Sequence, residues 1–242
     1  MKALKKTKLH FSLIFIAVLF STTATFSIEP KSSEESNFKK AVRYFYQKKL
    51  EMAELMLQEE LKINPENELA YSYLGDIFFK KKRYDGALKL YTKALDLNPA
   101  NAEDYFRIGQ IYYYKKQGNK SIENFERSYS LNPKLKFAYY HIGLTYLMLL
   151  RDKENTIKGW ENFLRIAPED PQYEKIRRVI ELLKDPNFVI PPVGSDVSIE
   201  EALLLGGIVL DDVKRKAGDK KAGHEAKKTK QKLEGIYEDD DL

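Results

Sequence analysis

Four short segments, each closed by a proline, constrain this 242-residue chain more than any other feature: "LKINP" at 61–65, "LDLNP" at 95–99, "YSLNP" at 129–133 and "LRIAP" at 164–168. Pro65, Pro99, Pro133 and Pro168 are separated by 34, 34 and 35 residues. A period on that scale marks a stacked architecture, in which one small unit recurs and buries its apolar face against its neighbours. Each proline stops a helix, because it lacks an amide hydrogen and restricts the residue before it.

Within one period, from Glu68 to Asn101, apolar residues fall at Tyr71, Leu74 and Phe78, and again at Tyr84, Ala87, Tyr91 and Ala94. Both sets step by three or four residues, the spacing of one helical face, so each period holds two helices. The stretch "KKRYD" supplies a polar turn, with Asp85 near the positive end of the second helix. Gly75 and the alanines let two backbones approach closely while the tyrosines fill the space around them.

These residues resemble the tetratricopeptide repeat family. The aromatic, leucine and glycine of its first helix and the alanine, aromatic, alanine and proline that follow correspond to Tyr71, Leu74, Gly75, Ala87, Tyr91, Ala94 and Pro99. The next unit has Tyr105, Ile108, Gly109, Tyr112, Phe125 and Pro133, with Ser121 and Ser128 in place of alanines. The one after has Tyr139, Ile142, Gly143, Tyr146, Trp160 and Pro168, with Thr156 and Phe163 at small positions and an extra residue expected in the turn around "LRDKEN". The first unit fits at Ala41, Tyr44, Ala53, Leu57 and Pro65; Asn37, Lys40 and Glu60 depart from the pattern, as suits a polar terminal repeat. The resemblance covers residues 34–168 and implies an all-α fold, an α-α superhelix (solenoid) of about four helix pairs.

Beyond it, residues 169–185 read as a capping helix with Asp170 as N-cap, Pro171 at the first helical position and an apolar stripe of Tyr173, Ile176, Val179, Ile180 and Leu183. Residues 186–197, which begin with "PNFVIPPVG", form a proline-rich linker. Ser198 and Glu201 make a capping box that opens a short helix over 198–213, which docks on the solenoid, folds as a hairpin of helices or binds a partner. The tail, 214–242, is rich in Lys and Arg and then in acids, and lacks the apolar content to order itself. It is a solvated tail or meets an anionic envelope surface.

Residues 1–27 combine a basic start, an apolar stretch "FSLIFIAVLF" and small residues, the pattern of an export signal peptide; the rival reading is an uncleaved inner-membrane anchor. Either places the rest outside the cytoplasm, most simply in the periplasm. The formal charge is +5, but Lys2, Lys5, Lys6 and Lys8 lie in this segment, and removing them leaves +1. Nucleic acid is therefore not an expected partner. There is no cysteine, which rules out disulfides and thiolate chemistry. The three histidines, His10, His141 and His224, lie far apart in sequence, and no phosphate-binding glycine loop occurs, so the chain reads as a non-enzyme without cofactor or metal.

The resemblance implies a concave groove lined by the first helices, which takes a protein or peptide partner. Carried over by position, its residues are Phe38, Val42, Phe45 and Tyr46; then Ser72, Asp76, Phe79 and Lys80; then Phe106, Gln110, Tyr113 and Tyr114; then Tyr140, Leu144, Leu147 and Met148. The family's clamp for a terminal carboxylate needs lysine and asparagine at fixed places. Here Phe38, Ser72, Phe106 and Tyr140 stand at one and Val42, Asp76, Gln110 and Leu144 at the other, so no such clamp is expected. The expected function is a non-enzymatic interaction scaffold or adaptor of the cell envelope, with a membrane-anchored tether acting through residues 196–242 as the alternative.

Overall fold

The computed structural model describes residues 35–206, so the expected export segment 1–27, the tail 214–242 and the second half of the 198–213 helix lie outside the described residues. The described chain is a run of helix pairs. They are α1 (Asn37–Tyr46) with α2 (Leu50–Ile63), α3 (Glu68–Lys80) with α4 (Tyr84–Leu97), α5 (Ala102–Tyr114) with α6 (Gly118–Leu131), and α7 (Lys136–Thr145) with α8 (Lys153–Ile166). The helix α9 (Tyr173–Lys184) comes next. No described helix is long and apolar enough to cross a membrane.

One slot per pair sets how closely its helices meet. In the second and third pairs a glycine of the first helix faces a ring of the second: a Cβ on Gly75 would lie 2.7 Å from Tyr91, and one on Gly109 2.7 Å from Phe125. In the fourth, a Cβ on Gly143 would lie 2.4 Å from Trp160, and one on Gly159 2.9 Å from the Gly143 backbone nitrogen. The largest ring thus requires a glycine on both helices. The first pair divides the same space differently, with Ala41 against the aliphatic Leu57, both wholly buried. The serine at 121 is also wholly buried and donates its hydroxyl to the Gly109 carbonyl at 2.9 Å. Ser128 is equally buried with no hydrogen-bond partner among the described residues, and nothing in the structure explains the serine there.

The turns inside the pairs carry a signal that sequence reading does not register. Lys48, Lys82 and Lys116 adopt left-handed backbone with φ of 58, 55 and 59°. Each ends its helix in a Schellman motif: Lys82 N–H donates to the Phe79 carbonyl and Arg83 N–H to the Phe78 carbonyl, both at 2.8 Å. Glycine is usual at that position, so a lysine hides the cap. In the fourth pair the extra residue is not in the turn, as the spacing suggests, but in the helix before it. Residues Tyr146–Leu150 form a π turn, and the left-handed residue becomes Arg151. One widened turn absorbs the insertion and leaves the packing of α7 on α8 in step.

The other departures are local. Glu60, out of pattern in the first unit, accepts from the Phe38 backbone N–H at 3.3 Å and from Asn67 Nδ2 at 3.0 Å, so it ties the starts of α1 and α3 to the end of α2. Helix α9 starts at Tyr173 with Gln172 as its cap, two residues later than Asp170 and Pro171 imply. Asp170 instead closes the preceding turn by accepting from Gln172 N–H at 3.0 Å, and pairs with Lys136. Phe163, at a position usually small, is buried against Tyr140 with ring centres 5.7 Å apart.

Candidate partner-binding groove

The first helices of the pairs, α1, α3, α5 and α7, place their predicted groove residues on a surface that changes character along the chain. At the α1 end it is aromatic and open. Phe38 and Phe45 meet the Tyr73 ring edge-on at 5.9 and 5.2 Å, and the Tyr46 and Tyr73 hydroxyls lie 3.4 Å apart. Burial and the neighbouring Tyr46 push the Tyr73 hydroxyl up to about 12, so it stays a neutral donor and acceptor. Tyr46 remains 72% exposed, and the Lys80 ammonium sits 5.9 Å from the Phe45 ring centre.

Between α3 and α5 lies a second aromatic set. Phe79 packs beside both Tyr84 and Tyr114 at 5.8 and 5.9 Å, while Tyr84 and Tyr114 stack on each other at 5.4 Å with planes 5° apart. Tyr113 meets Tyr114 edge-on at 5.8 Å. Tyr84, the first residue of α4, reads from the sequence as core of the second helix; it joins this surface because it begins that helix at the turn.

The floor between these sets is polar. The Tyr91 hydroxyl donates to Asp76 Oδ1 at 2.6 Å, Arg107 Nε lies 3.3 Å from the same oxygen, and Arg107 also donates to Gln110 Oε1 at 3.0 Å. The Ser72 hydroxyl donates to Asp104 Oδ2 at 2.7 Å. Asp104 is 2% exposed. Burial pushes its carboxyl up to about 7, with Asp76 and Glu103 adding to the rise and Ser72 and Arg107 opposing it. Burial also raises the Asp76 carboxyl, against Arg107 and the Tyr91 hydroxyl. Asp104, Arg107 and Tyr91 are absent from the predicted groove. Asp104 follows its N-cap Asn101 in the first turn of α5, where a carboxylate reads as a solvated partner of the helix dipole.

At the α7 end the groove is not free. Gln110 of α5 is 4% exposed and accepts from Arg107, and Tyr140 and Leu144 of α7 are each 6% exposed. Phe106 turns into the core, with ring centres 5.4 Å from Phe125 and 5.3 Å from His141. His141 itself is stacked on Phe125 at 5.2 Å. Tyr140, Leu144 and Leu147 share one apolar cluster with Trp160 of α8, with Ile176 and Ile180 of α9, and with Ile190 and Ile199 beyond it; Met148 packs on its edge. Of the predicted groove residues, Phe79, Asp76, Lys80 and Tyr114 thus line the open part, while Tyr113 is half-buried between it and the covered cluster. Gln110, Tyr140 and Leu144 are covered, and Phe106 and Met148 pack on core clusters. Such a surface offers hydrogen bonds, ring faces and apolar area to a polypeptide. Among the described residues no group of three or more His, Asp or Glu side chains is arranged to hold a metal ion.

Residues 75–116 match the family described as TPR repeat, and residues 102–135 the family described as Tetratricopeptide repeat. No curated protein matches the sequence significantly. Similar solved structures include the crystal structure of MamA protein, at 17% identity over 77% of this chain and 96% of that one, with a TM-score of 0.55. The Cut9–Hcn1 hetero-tetramer of APC/C is similar at 18% identity over 58% of this chain and 28% of that one, with a TM-score of 0.53. An O-GlcNAc transferase mutant of Thermobaculum terrenum matches at 19% identity over 53% and 25%, with a TM-score of 0.50. At these identities the likeness is one of fold. The helix pairs, their glycine slots and the two family matches agree: residues 75–135 are tetratricopeptide repeats, set in an all-α superhelical solenoid, an architecture of the kind that serves protein–protein interaction.

Proposed function

We propose that this protein is a non-enzymatic scaffold or adaptor of the bacterial cell envelope, exported to the periplasm, that holds a partner polypeptide in the open part of its groove. One observation carries the reading: the aromatic surface of Tyr46, Phe79, Tyr84 and Tyr114 flanks a polar floor built on Asp76 and Arg107. Aromatic anchors around a few fixed polar groups are the usual energetic centre of a protein interface. The positions of a carboxylate clamp hold Phe38, Ser72 and Phe106 against Val42, Asp76 and Gln110, so the surface suits an internal segment rather than a free chain end. The export pattern of residues 1–27 supports the envelope location.

The test is a crosslinking pull-down from the envelope fraction with wild type and the Tyr113→Ala, Tyr114→Ala double variant. Capture of the principal partner is expected to fall about tenfold or more, while far-UV circular dichroism stays unchanged. Equal capture by a folded double variant would remove this surface as the site. Mass spectrometry of the mature N-terminus checks export independently, and an intact Met1 in the soluble cytoplasmic fraction contradicts it.

A further inference from the structure

The α7 end of the groove is covered by the chain itself. After α9, residues 185–198 run without regular structure, and 199–206 is helical. The Lys153 ammonium fixes the start of this strap by donating to the Asp185 and Phe188 carbonyls at 2.7 and 2.9 Å. Ser198 opens the helix, its hydroxyl accepting from Glu201 N–H at 3.0 Å. Two aliphatic residues four positions apart hold its groove side, where Ile199 is 2% exposed and Leu203 packs on the cluster that contains Tyr140, Leu144 and Trp160, while Gly206 sits close against α9, where a Cβ would lie 2.8 Å from Leu182.

That hold is thin. A cavity of about 40 Å³ remains under the helix, bounded by Tyr140, Leu144, Trp160, Ile176, Val179 and Leu203. The segment turns Val189, Val193, Val197 and Leu205 outward, with Val189 and Val193 at 75 and 77% exposure. The element over the last third of the groove therefore combines a capped helix, an aliphatic pair at i and i+4, imperfect packing and a long irregular tether. An element with these features opens at a lower cost than the helices beneath it.

We propose that helix 199–206 is a displaceable occupant of the groove, and that the partner suited to this third is an amphipathic helix. That helix presents two aliphatic side chains at i and i+4 behind a Ser, Thr or Asp cap, in the places of Ile199, Leu203 and Ser198. The proposal rests on the groove being the partner site and adds what that partner looks like at one end. Because the competing segment is tethered, the partner's apparent affinity is lowered by the fraction of time the site is closed.

The test uses the full chain carrying Ile199→Asp and Leu203→Asp, and as probe a fluorescent synthetic peptide of residues 195–205, "SDVSIEEALLL". Anisotropy is expected to show the peptide binding the double variant about tenfold more tightly than the unaltered chain. A peptide with the same Leu203→Asp change should not bind. Trp160 is the only tryptophan and lies 5% exposed in the cavity wall, so its emission should shift to the red in the variant and return when the peptide is added. Equal binding to both chains, or none to a variant of native helicity, overturns the proposal. Should the variant lose helicity, hydrogen exchange on the unaltered chain decides: the amides of 202–205 should exchange about a hundredfold faster than those of α8, and equal protection makes the segment a permanent cap. Peptide binding reads the covered third alone. Its failure with Tyr113- and Tyr114-dependent capture intact sinks only this inference, and the reverse outcome sinks only the proposed function.

Discussion

The first and fourth helix pairs solve one packing problem in two ways. At the crossing of α1 and α2 the space is shared by Ala41 and Leu57; at the crossing of α7 and α8 it is shared by Gly143 and Trp160, with Gly159 behind. The larger ring of the second helix is matched by the smaller residue on the first, a compensating exchange of the kind that packed cores tolerate. On their groove faces the same two pairs differ in a way that volume does not decide. Phe38 and Val42 of α1 keep part of their surface in solvent, whereas Tyr140 and Leu144, at the equivalent positions, are buried. What separates them is α9 together with the strap and helix beyond it, all of which lie outside the repeats. The repeat thus dictates where a side chain points, and the non-repeating chain dictates whether a partner can reach it.

The change expected to break this comparison most severely is Gly143→Ala. Its Cβ would enter at 2.4 Å from a tryptophan ring that is buried and tied by its Nε1 to the Tyr140 carbonyl at 3.0 Å, so neither side can yield cheaply. A loss of about 3 kcal/mol is expected in urea unfolding, within the range of overpacked and strained cores. In a Trp160→Leu background, which rebuilds the Ala41–Leu57 solution, the same glycine change should cost less than half as much. Additive losses would show that the two pairs do not share one volume rule.

A second contrast lies along the groove floor, apolar at α7 and polar between α3 and α5. Asp104→Asn keeps the acceptor for the Ser72 hydroxyl and removes a buried charge. The folded Asp104 carboxyl titrates near 7, above its ordinary value of 3.8, so the folded state binds a proton more tightly than the unfolded one. The stability from this group is complete below about pH 4 and is lost as pH rises toward and through 7. Asp104→Asn should therefore leave stability almost unchanged at pH 4.5 and raise it by about 1–3 kcal/mol at pH 8. Thermal melts at both pH values check this, and a gain of equal size at both would deny the carboxyl its raised titration.

How much of the molecule was legible in the sequence is decided by the same physics. Proline and glycine mark fixed geometric needs, so the period, the four pairs and the slots at Gly75, Gly109 and Gly143 could be placed from spacing alone. Helical phase also carries a position from one unit to the next, so the first-helix residues expected on one face could be named as a set. What covered that face could not, since Ile199 and Leu203 reach Tyr140 and Leu144 from more than fifty residues away, through a segment with no periodicity. Asp104 and Arg107 escaped because a charged residue on an amphipathic helix reads as solvated, and only the neighbouring helix α3 supplies Ser72 and Asp76 to bury them. The insertion in the fourth unit was counted correctly and assigned to the wrong place, because a π turn and a longer loop leave the same spacing.

The turns give the smallest effect and the finest discrimination between regular and irregular pairs. Lys82 and Lys116 are exposed and hold left-handed backbone, which costs a residue with a Cβ about 1 kcal/mol relative to glycine. Lys82→Gly and Lys116→Gly should each raise stability by up to about 1 kcal/mol, offset in part by the greater freedom of glycine in the unfolded chain. Arg151 has the same backbone at the end of the π turn, but its side chain is partly buried and its guanidinium lies 3.4 Å from the Leu147 carbonyl. There the gain from relieved backbone strain is opposed by lost packing under a long side chain, so Arg151→Gly should be neutral or destabilising. Chemical unfolding of the three single variants, run side by side, measures the difference. If Arg151→Gly stabilises as much as the two lysine changes, the fourth turn is an ordinary cap and its side chain contributes nothing to the covered end of the groove.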